Sequence, residues 1–166
     1  SDPPDDLLAR LVAAEVDGQR LTRPEILGFF QLLILAGQET TTNLIGNALE
    51  LFARFPNERA RLLVDETLLR TAIEEVLRYE SSNQLGNRIV AEEVTLGGVS
   101  MPKGTLVTIG IGAANRDPDQ FPDPDRFDAA RNPTRHLAFG SGIHMCAGMS
   151  LARLEGRVAI ERLLAR

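Results

Sequence analysis

A single cysteine, no cluster of basic residues and no long apolar run already bound what this chain does. Cys146 has no partner for an internal disulfide, so nothing implies an oxidising compartment and any special role of its thiol is chemical. Lysine and arginine number 18 against 23 acids, a formal charge of −5. Without a basic patch the chain lacks the electrostatic footprint of a nucleic-acid binder or of a protein that docks on anionic lipid. The longest apolar stretch, residues 26–37, is interrupted by Gln31 and falls short of the ~18 residues that suggest a membrane span. Glycine (14) and proline (9) stand at ordinary usage, which excludes collagen-like and low-complexity classes. No internal repeat and no Gly/Ser-rich linker divides the chain. What remains is one soluble, packed globular domain. No signal-peptide pattern opens it, and it starts at Ser1 rather than at a methionine, so its targeting is not read from the sequence.

Both ends read as helical. Asp5 to Glu15 carries Leu7, Leu8, Leu11 and Val12 at helical spacing, with acids at the start where the helix dipole favours them. A break at Asp17-Gly18 follows. Thr22 and Glu25, three apart, then predict a capping box that opens a second helix running to about Arg54, where Pro56 stops it. At ~1.5 Å per residue that helix is ~45 Å long, and its apolar residues lie all round, so it expects protein on more than one side, with Phe29, Leu33 and Leu44 against neighbours. Asn57 to Leu63 and Leu68 to Tyr79 predict two more helices, and Ala147 to Ala165 a last one with Leu151, Leu154, Val158 and Leu163 on one stripe. Between them Arg88 to Val90, Val94 to Ser100 and Thr105 to Ile111 are β-prone runs separated by Gly97-Gly98 and Pro102-Lys103-Gly104, which predicts small hairpins. Asn115 to Asn132, rich in proline and aspartate, predicts an ordered meandering loop.

Three separated motifs carry chemistry. In Phe139 to Gly148, FGSGIHMCAG, two glycines surround a turn, the lone cysteine follows, and a helix begins. Gly140 and Gly142 permit positive φ and let backbone N–H groups approach the sulfur, and the helix N-terminus stabilises its charge, a setting that suits a thiolate metal ligand. For an isolated cysteine, a buried structural thiol after a glycine turn is the commoner outcome. A zinc site with His144 needs carboxylates to complete four ligands, because the chain has only two histidines. Glu75 and Arg78 share a helix face at i,i+3, a pair that by itself is usually solvated decoration. Ala36 to Thr42, AGQETTT, puts Ala36, Gly37 and Thr40 on one helix face, which either lets a flat ligand approach the backbone or forms a helix-packing groove.

FGSGIHMCAG resembles the haem-binding loop of the cytochrome P-450 haem-thiolate monooxygenases, whose pattern is Phe-Gly-any-Gly-any-His/Arg-any-Cys-any-Gly, with every fixed position present. The resemblance implies a mainly α chain, the C-terminal portion of that fold in a soluble bacterial-type member: the long central helix, small β-hairpins and the cysteine loop. It covers nearly all of residues 1–166 as one partial domain, with the family's N-terminal half and last β-hairpin outside it. The implied cofactor is haem b (iron protoporphyrin IX), with Cys146 as axial ligand pushing electron density into the iron. Phe139 shields the sulfur, Gly140 and Gly148 shape the loop, and His144 bonds a haem propionate. Arg88 matches a second propionate partner, against the plain alternative of an exposed strand-end arginine. Glu75 and Arg78 match Glu-any-any-Arg, linked to Arg131 in the meander, a structural triad that locks the loop. Ala36 and Gly37 lie over the haem, and Glu39 and Thr40 are the acid and alcohol that handle protons for O–O cleavage. Gln84, Leu85 and Gly86 lie where the family lines its substrate pocket, although Asn83 stands where proline is frequent. His136 and Tyr79 are read as packing or surface residues.

The implied activity is insertion of one atom of O2 into a small organic substrate, with electrons from a ferredoxin or flavodoxin and its reductase, in the cytoplasm, with no nucleic acid and no membrane as partner. The alternative is a truncated domain that binds haem and turns nothing over. A peroxide-using variant is disfavoured by the acid–alcohol pair Glu39 and Thr40.

Overall fold

A computed structural model describes residues 5–165. Backbone contacts divide the chain into two compact units, one up to Glu39 and one from Thr40 onwards.

The first unit opens with α1, Leu7–Ala13. The Asp6 carboxylate caps it by accepting from the Ala9 N–H at 2.8 Å. The helix predicted to reach Glu15 stops two residues sooner, because Glu15–Val16 (β1) pairs with Gln19–Arg20 (β2). The reason is the turn: Asp17 and Gly18 both take positive φ, 51° and 76°, the geometry of the two-residue hairpin that Asp-Gly favours. Next comes α2, Arg23–Arg54, which runs from the first unit into the second. One Glu25 carboxylate oxygen accepts from both the backbone N–H and the hydroxyl of Thr22, each at 2.7 Å. The glutamate half of the capping box is therefore present, and the threonine hydroxyl is spent on the carboxylate instead of on the helix. Along this first half of α2, Leu27, Phe29, Phe30, Leu32, Leu33, Ile34 and Leu35 are all exposed, so the expected cover over Phe29 and Leu33 is not supplied.

In the second unit α2 changes character. Leu44, Ala48, Leu51 and Phe52 are buried at helical spacing and form one wall of the core. Phe55, at φ −118° and ψ 69°, leaves helical geometry ahead of the proline, and Pro56 then occupies the first turn of α3, Pro56–Val64, where its missing N–H is harmless. A 3₁₀ turn at Glu66–Leu68 leads into α4, Leu69–Tyr79. Its residues Leu69, Ala72, Ile73, Val76 and Leu77 are buried, and Phe52, Phe55, Tyr79 and Phe127 close the core with ring centroids 5.3–6.1 Å apart. Antiparallel strands β3, Leu85–Ile89, and β6, Leu106–Gly110, pair in register Leu85↔Gly110. Between them lies the hairpin of β4, Val94–Leu96, and β5, Val99–Met101, turned by Gly97 and Gly98 at positive φ. Pairing draws Leu85–Asn87 into a strand ahead of the predicted start at Arg88, while Ile111, predicted as strand, begins the short helix α5, Ile111–Ala114.

Residues 115–132 make turns and bends only, as their proline and aspartate content predicts, and the irregular chain continues to residue 141. The last helix, α6, Met149–Leu164, packs against α4. Its buried face carries Gly156 and Ile160, whereas the stripe of Leu151, Leu154, Val158 and Leu163 is exposed. A Cβ on Gly156 would lie 2.9 Å from the Leu44 side chain, so the missing methyl sets how closely α6 approaches α2. No helix among the described residues is long and apolar enough to cross a membrane.

Candidate functional site

The loop before α6 is built by its own backbone. Gly140, at φ 74°, donates to the Leu137 carbonyl at 2.9 Å. A Cβ there would meet the His144 carbonyl oxygen at 2.7 Å, so the position requires glycine twice over, for conformation and for space. A 3₁₀ turn spans Gly142–His144, and the chain returns so that the Cys146 N–H donates to the Phe139 carbonyl at 2.8 Å. Cys146 and His144 are exposed, and Ile143 stands 97% exposed at the tip. Gly148 is the N-cap of α6, and a Cβ on it would lie 4.0 Å from the cysteine sulfur, which places the thiol over the start of that helix.

This thiol is not the buried structural cysteine that an isolated Cys usually becomes. No group of three or more His, Cys, Asp or Glu among the described residues is placed to hold a metal ion, so a zinc site with His144 finds no further ligands. An exposed thiol with no companion ligand fits a metal that arrives with its other ligands, as iron does in a porphyrin. The residues present fit the haem that the loop motif implies.

Glu75 and Arg78 form no surface pair. Both are fully buried, and the guanidinium grips both carboxylate oxygens at 2.8 and 2.9 Å. The remaining Arg78 donors reach the Asn115, Pro124 and Arg126 carbonyls. Arg131 donates to the same Glu75 carboxylate at 3.1 Å, and so does the Asp128 N–H. The structure thus brings the three together and ties the 115–131 meander to α4.

The other expected residues are placed without such convergence. Arg88 is exposed on β3, and its Nη1 donates to the neighbouring Asn87 carbonyl. Gln84 bonds Glu80 and the Ser81 carbonyl, Leu85 is exposed and Gly86 half-buried. Gly112 leaves room for the Gln84 amide, since a Cβ there would collide with it. Ala36, Gly37 and Glu39 are exposed on α2 in the first unit, and Thr40, half-buried, opens the second. Ser82 donates to the Thr40 carbonyl at 2.8 Å, a tie that no sequence pattern signals.

Two polar centres escape sequence reasoning. Asn115 is fully buried: it donates to Ser81 and accepts from the Leu137 N–H at 2.7 Å, linking the foot of the cysteine loop to the end of α4. Glu74 takes Arg153 through two hydrogen bonds, at 2.6 and 2.9 Å, and His136 through a third at 2.9 Å. Burial pushes the Glu74 carboxyl up, but the bonds and charges of His136 and Arg153 outweigh it and bring it down to about 2. The adjacent acids of Glu74-Glu75 and the position of Arg153, two helical turns beyond Cys146, are the only hints the sequence holds. Of the two residues read as packing or surface, Tyr79 packs inside, its hydroxyl donating to the Asp125 carbonyl beneath the Arg116 guanidinium, while His136 is a bonded member of the Glu74 centre.

Known proteins match this chain along its whole length. The family model described as Cytochrome P450 matches residues 1–166. Cytochrome P450 107B1 of Saccharopolyspora erythraea is 50% identical across 100% of this chain and 41% of its own length. The vitamin D(3) 25-hydroxylase of Pseudonocardia autotrophica is 47% identical across 99% of this chain and 41% of its own. The crystal structure of substrate-free CYP109E1 from Bacillus megaterium superposes with a TM-score of 0.95 at 44% identity, covering 99% of this chain and 43% of that one. The chain therefore spans about two-fifths of the length of these relatives, and it shares their fold over that span. It belongs to the cytochrome P450 family.

Proposed function

We propose that this protein is a haem-thiolate monooxygenase that inserts one atom of O2 into a small organic substrate, in which the Cys146 thiolate would hold the iron of haem b. The observation that carries the reading is the exposed Cys146 thiol on a residue whose backbone N–H is held by the Phe139 carbonyl, at the end of a loop that only glycine can form at position 140. When bound, thiolate-ligated haem supplies O2 activation and cleavage, which consumes electrons and protons. The chain's own residues bind, shield and deliver. Cys146 holds the iron, Phe139 covers the sulfur, and Gly140 and Gly148 keep the loop clear. His144 would hydrogen-bond one haem propionate and Arg88 would pair with a propionate, both being exposed donors. Ala36 and Gly37, without bulky side chains, leave α2 open to a flat ring. Glu39 and Thr40, adjacent on α2, are the acid and alcohol that move protons. Gln84, Leu85 and Gly86 line the substrate side, and Glu75, Arg78 and Arg131 hold the meander.

Residues 1–166 are read as one portion of a single P450 domain. Electrons come from a separate ferredoxin or flavodoxin with its reductase, and the location is cytoplasmic. One relative's name, vitamin D(3) 25-hydroxylase, supports a small organic substrate. A second reading, a haem-binding segment without turnover of its own, draws on the 41% of relative length that the chain spans. The test of the ligand is spectroscopic. Reduced under carbon monoxide, the complete haem-loaded parent enzyme (the holoprotein) is expected to show a red-shifted Soret band that Cys146→Ser abolishes; a variant that keeps the band places the ligand elsewhere.

A further inference from the structure

Behind the cysteine loop sits a charged pair that the reaction as described does not use. Arg153, on α6, presents Nε and Nη2 to the two oxygens of Glu74 on α4, which fixes the plane of the guanidinium. That guanidinium lies over the Phe139 ring, 4.6 Å from its centroid. The Phe139 carbonyl in turn accepts the Cys146 N–H. His136 braces the other side: the Ala138 N–H lies 3.3 Å from its Nδ1, and its Nε2 lies 2.9 Å from a Glu74 oxygen. The cluster thus joins a guanidinium, a carboxylate and an imidazole.

We propose that Arg153 and Glu74 are positioning residues for the thiolate: the guanidinium, held by Glu74 and stacked on Phe139, fixes the ring under the loop and sets the electrostatic field at the Cys146 sulfur. The inference rests on Cys146 being the ligand. Arg153 is held protonated above the ordinary arginine value by its bond to the Glu74 carboxylate, and Phe139, whose ring lies under the guanidinium and whose carbonyl accepts the Cys146 N–H, links it to the cysteine. Reduction of a haem iron adds one electron, and nearby positive charge favours it. Removing the guanidinium leaves the Glu74 carboxylate alone and makes reduction harder. Removing the carboxylate charge leaves the guanidinium alone and makes it easier. A clamp that served only to join α4 and α6 gives no such reversal of sign.

The test is the one-electron reduction equilibrium of the haem in the holoprotein, with haem content and near-ultraviolet circular dichroism as controls. Arg153→Met is expected to lower the equilibrium constant for reduction at least threefold, Glu74→Gln to raise it, and Arg153→Lys to stay near wild type, all three keeping the red-shifted carbon-monoxide band. Unchanged constants, or shifts of one sign in both neutral variants, overturn the proposal. If Arg153→Met loses its haem, the near-isosteric Glu74→Gln decides: a rise supports the proposal, and anything else overturns it. Loss of haem in both assigns the pair to structure alone and also overturns it. A wild-type protein without the red-shifted band removes the ligand reading itself, an outcome distinct from all of these.

Discussion

Arg78 has no exposed surface, yet each of the five N–H groups of its guanidinium meets an acceptor: Glu75 twice and three meander carbonyls. Taking such a charge out of water costs several kcal/mol, so the arrangement persists only because the bonding is complete. The Glu-any-any-Arg spacing shows that the two side chains meet and is silent on burial. Burial comes from a loop some forty residues downstream folding over them, and no local pattern carries that information. Glu74, the next residue along, gives a measurable consequence. Its carboxyl falls from 4.5 to about 2 in the folded protein. A depressed acid contributes stability that is fully present above its unfolded value and is lost as pH falls through the folded one. The loss therefore runs from about pH 4.5 down to about pH 2 and totals at most about 3 kcal/mol. In urea titrations of the holoprotein, the stability gap between wild type and Glu74→Gln is expected to shrink by about 2 kcal/mol between about pH 5 and about pH 3. A gap that stays constant over that interval means Glu74 does not titrate as this geometry requires.

At the scale of elements, the pieces that obey local chemistry are legible and the faces they present are not. Thr22 and Glu25 start α2, Pro56 divides α2 from α3, and Gly97-Gly98 turns a hairpin, each through a backbone requirement written in one or two residues. By contrast, α6 buries Gly156 and Ile160 rather than its leucine stripe, because packing against α4 and Leu44 decides the face. The cysteine loop combines both kinds of information: its turn is local, while Asn115 and Arg153, which brace it, come from distant segments. Gly140 tests the local part. Alanine at φ 74° is strained by about 1–2 kcal/mol, and its Cβ would press on the His144 carbonyl oxygen at 2.7 Å. Gly142, at φ 60° with nothing within 4 Å of a Cβ, suffers the strain alone. Haem per chain is thus expected to fall in Gly140→Ala and to fall less in Gly142→Ala, with far-ultraviolet circular dichroism unchanged in both. Equal haem content in the two variants contradicts a loop held by close packing at position 140.

On the scale of the whole chain, burial is uneven in a way that bears on how residues 1–166 behave by themselves. The second unit has a closed core from Leu44 to Ile160, and its buried polar side chains are bonded. Along α2 in the first unit, however, consecutive residues Leu32, Leu33, Ile34 and Leu35 are each between 38% and 60% exposed, which no single neighbouring surface explains. Leu151, Leu154 and Val158 on α6 and Ile143 and Met145 in the cysteine loop add apolar surface in the second unit. At ~25 cal/mol per Å², several hundred Å² of such surface left in water forfeits on the order of 10 kcal/mol, as much as the whole stability of a typical domain. Patches of that size on a soluble chain bind other protein, ligand or each other. Produced as an isolated segment, residues 1–166 are therefore expected to self-associate and to bind a hydrophobic dye strongly, with haem held weakly and no cooperative thermal transition. Size-exclusion chromatography, dye fluorescence and a haem titration followed by near-ultraviolet circular dichroism measure each part. A monomer that melts cooperatively and takes up one haem tightly would show that these exposed faces are tolerated in water, and it would favour the segment that binds haem without turnover.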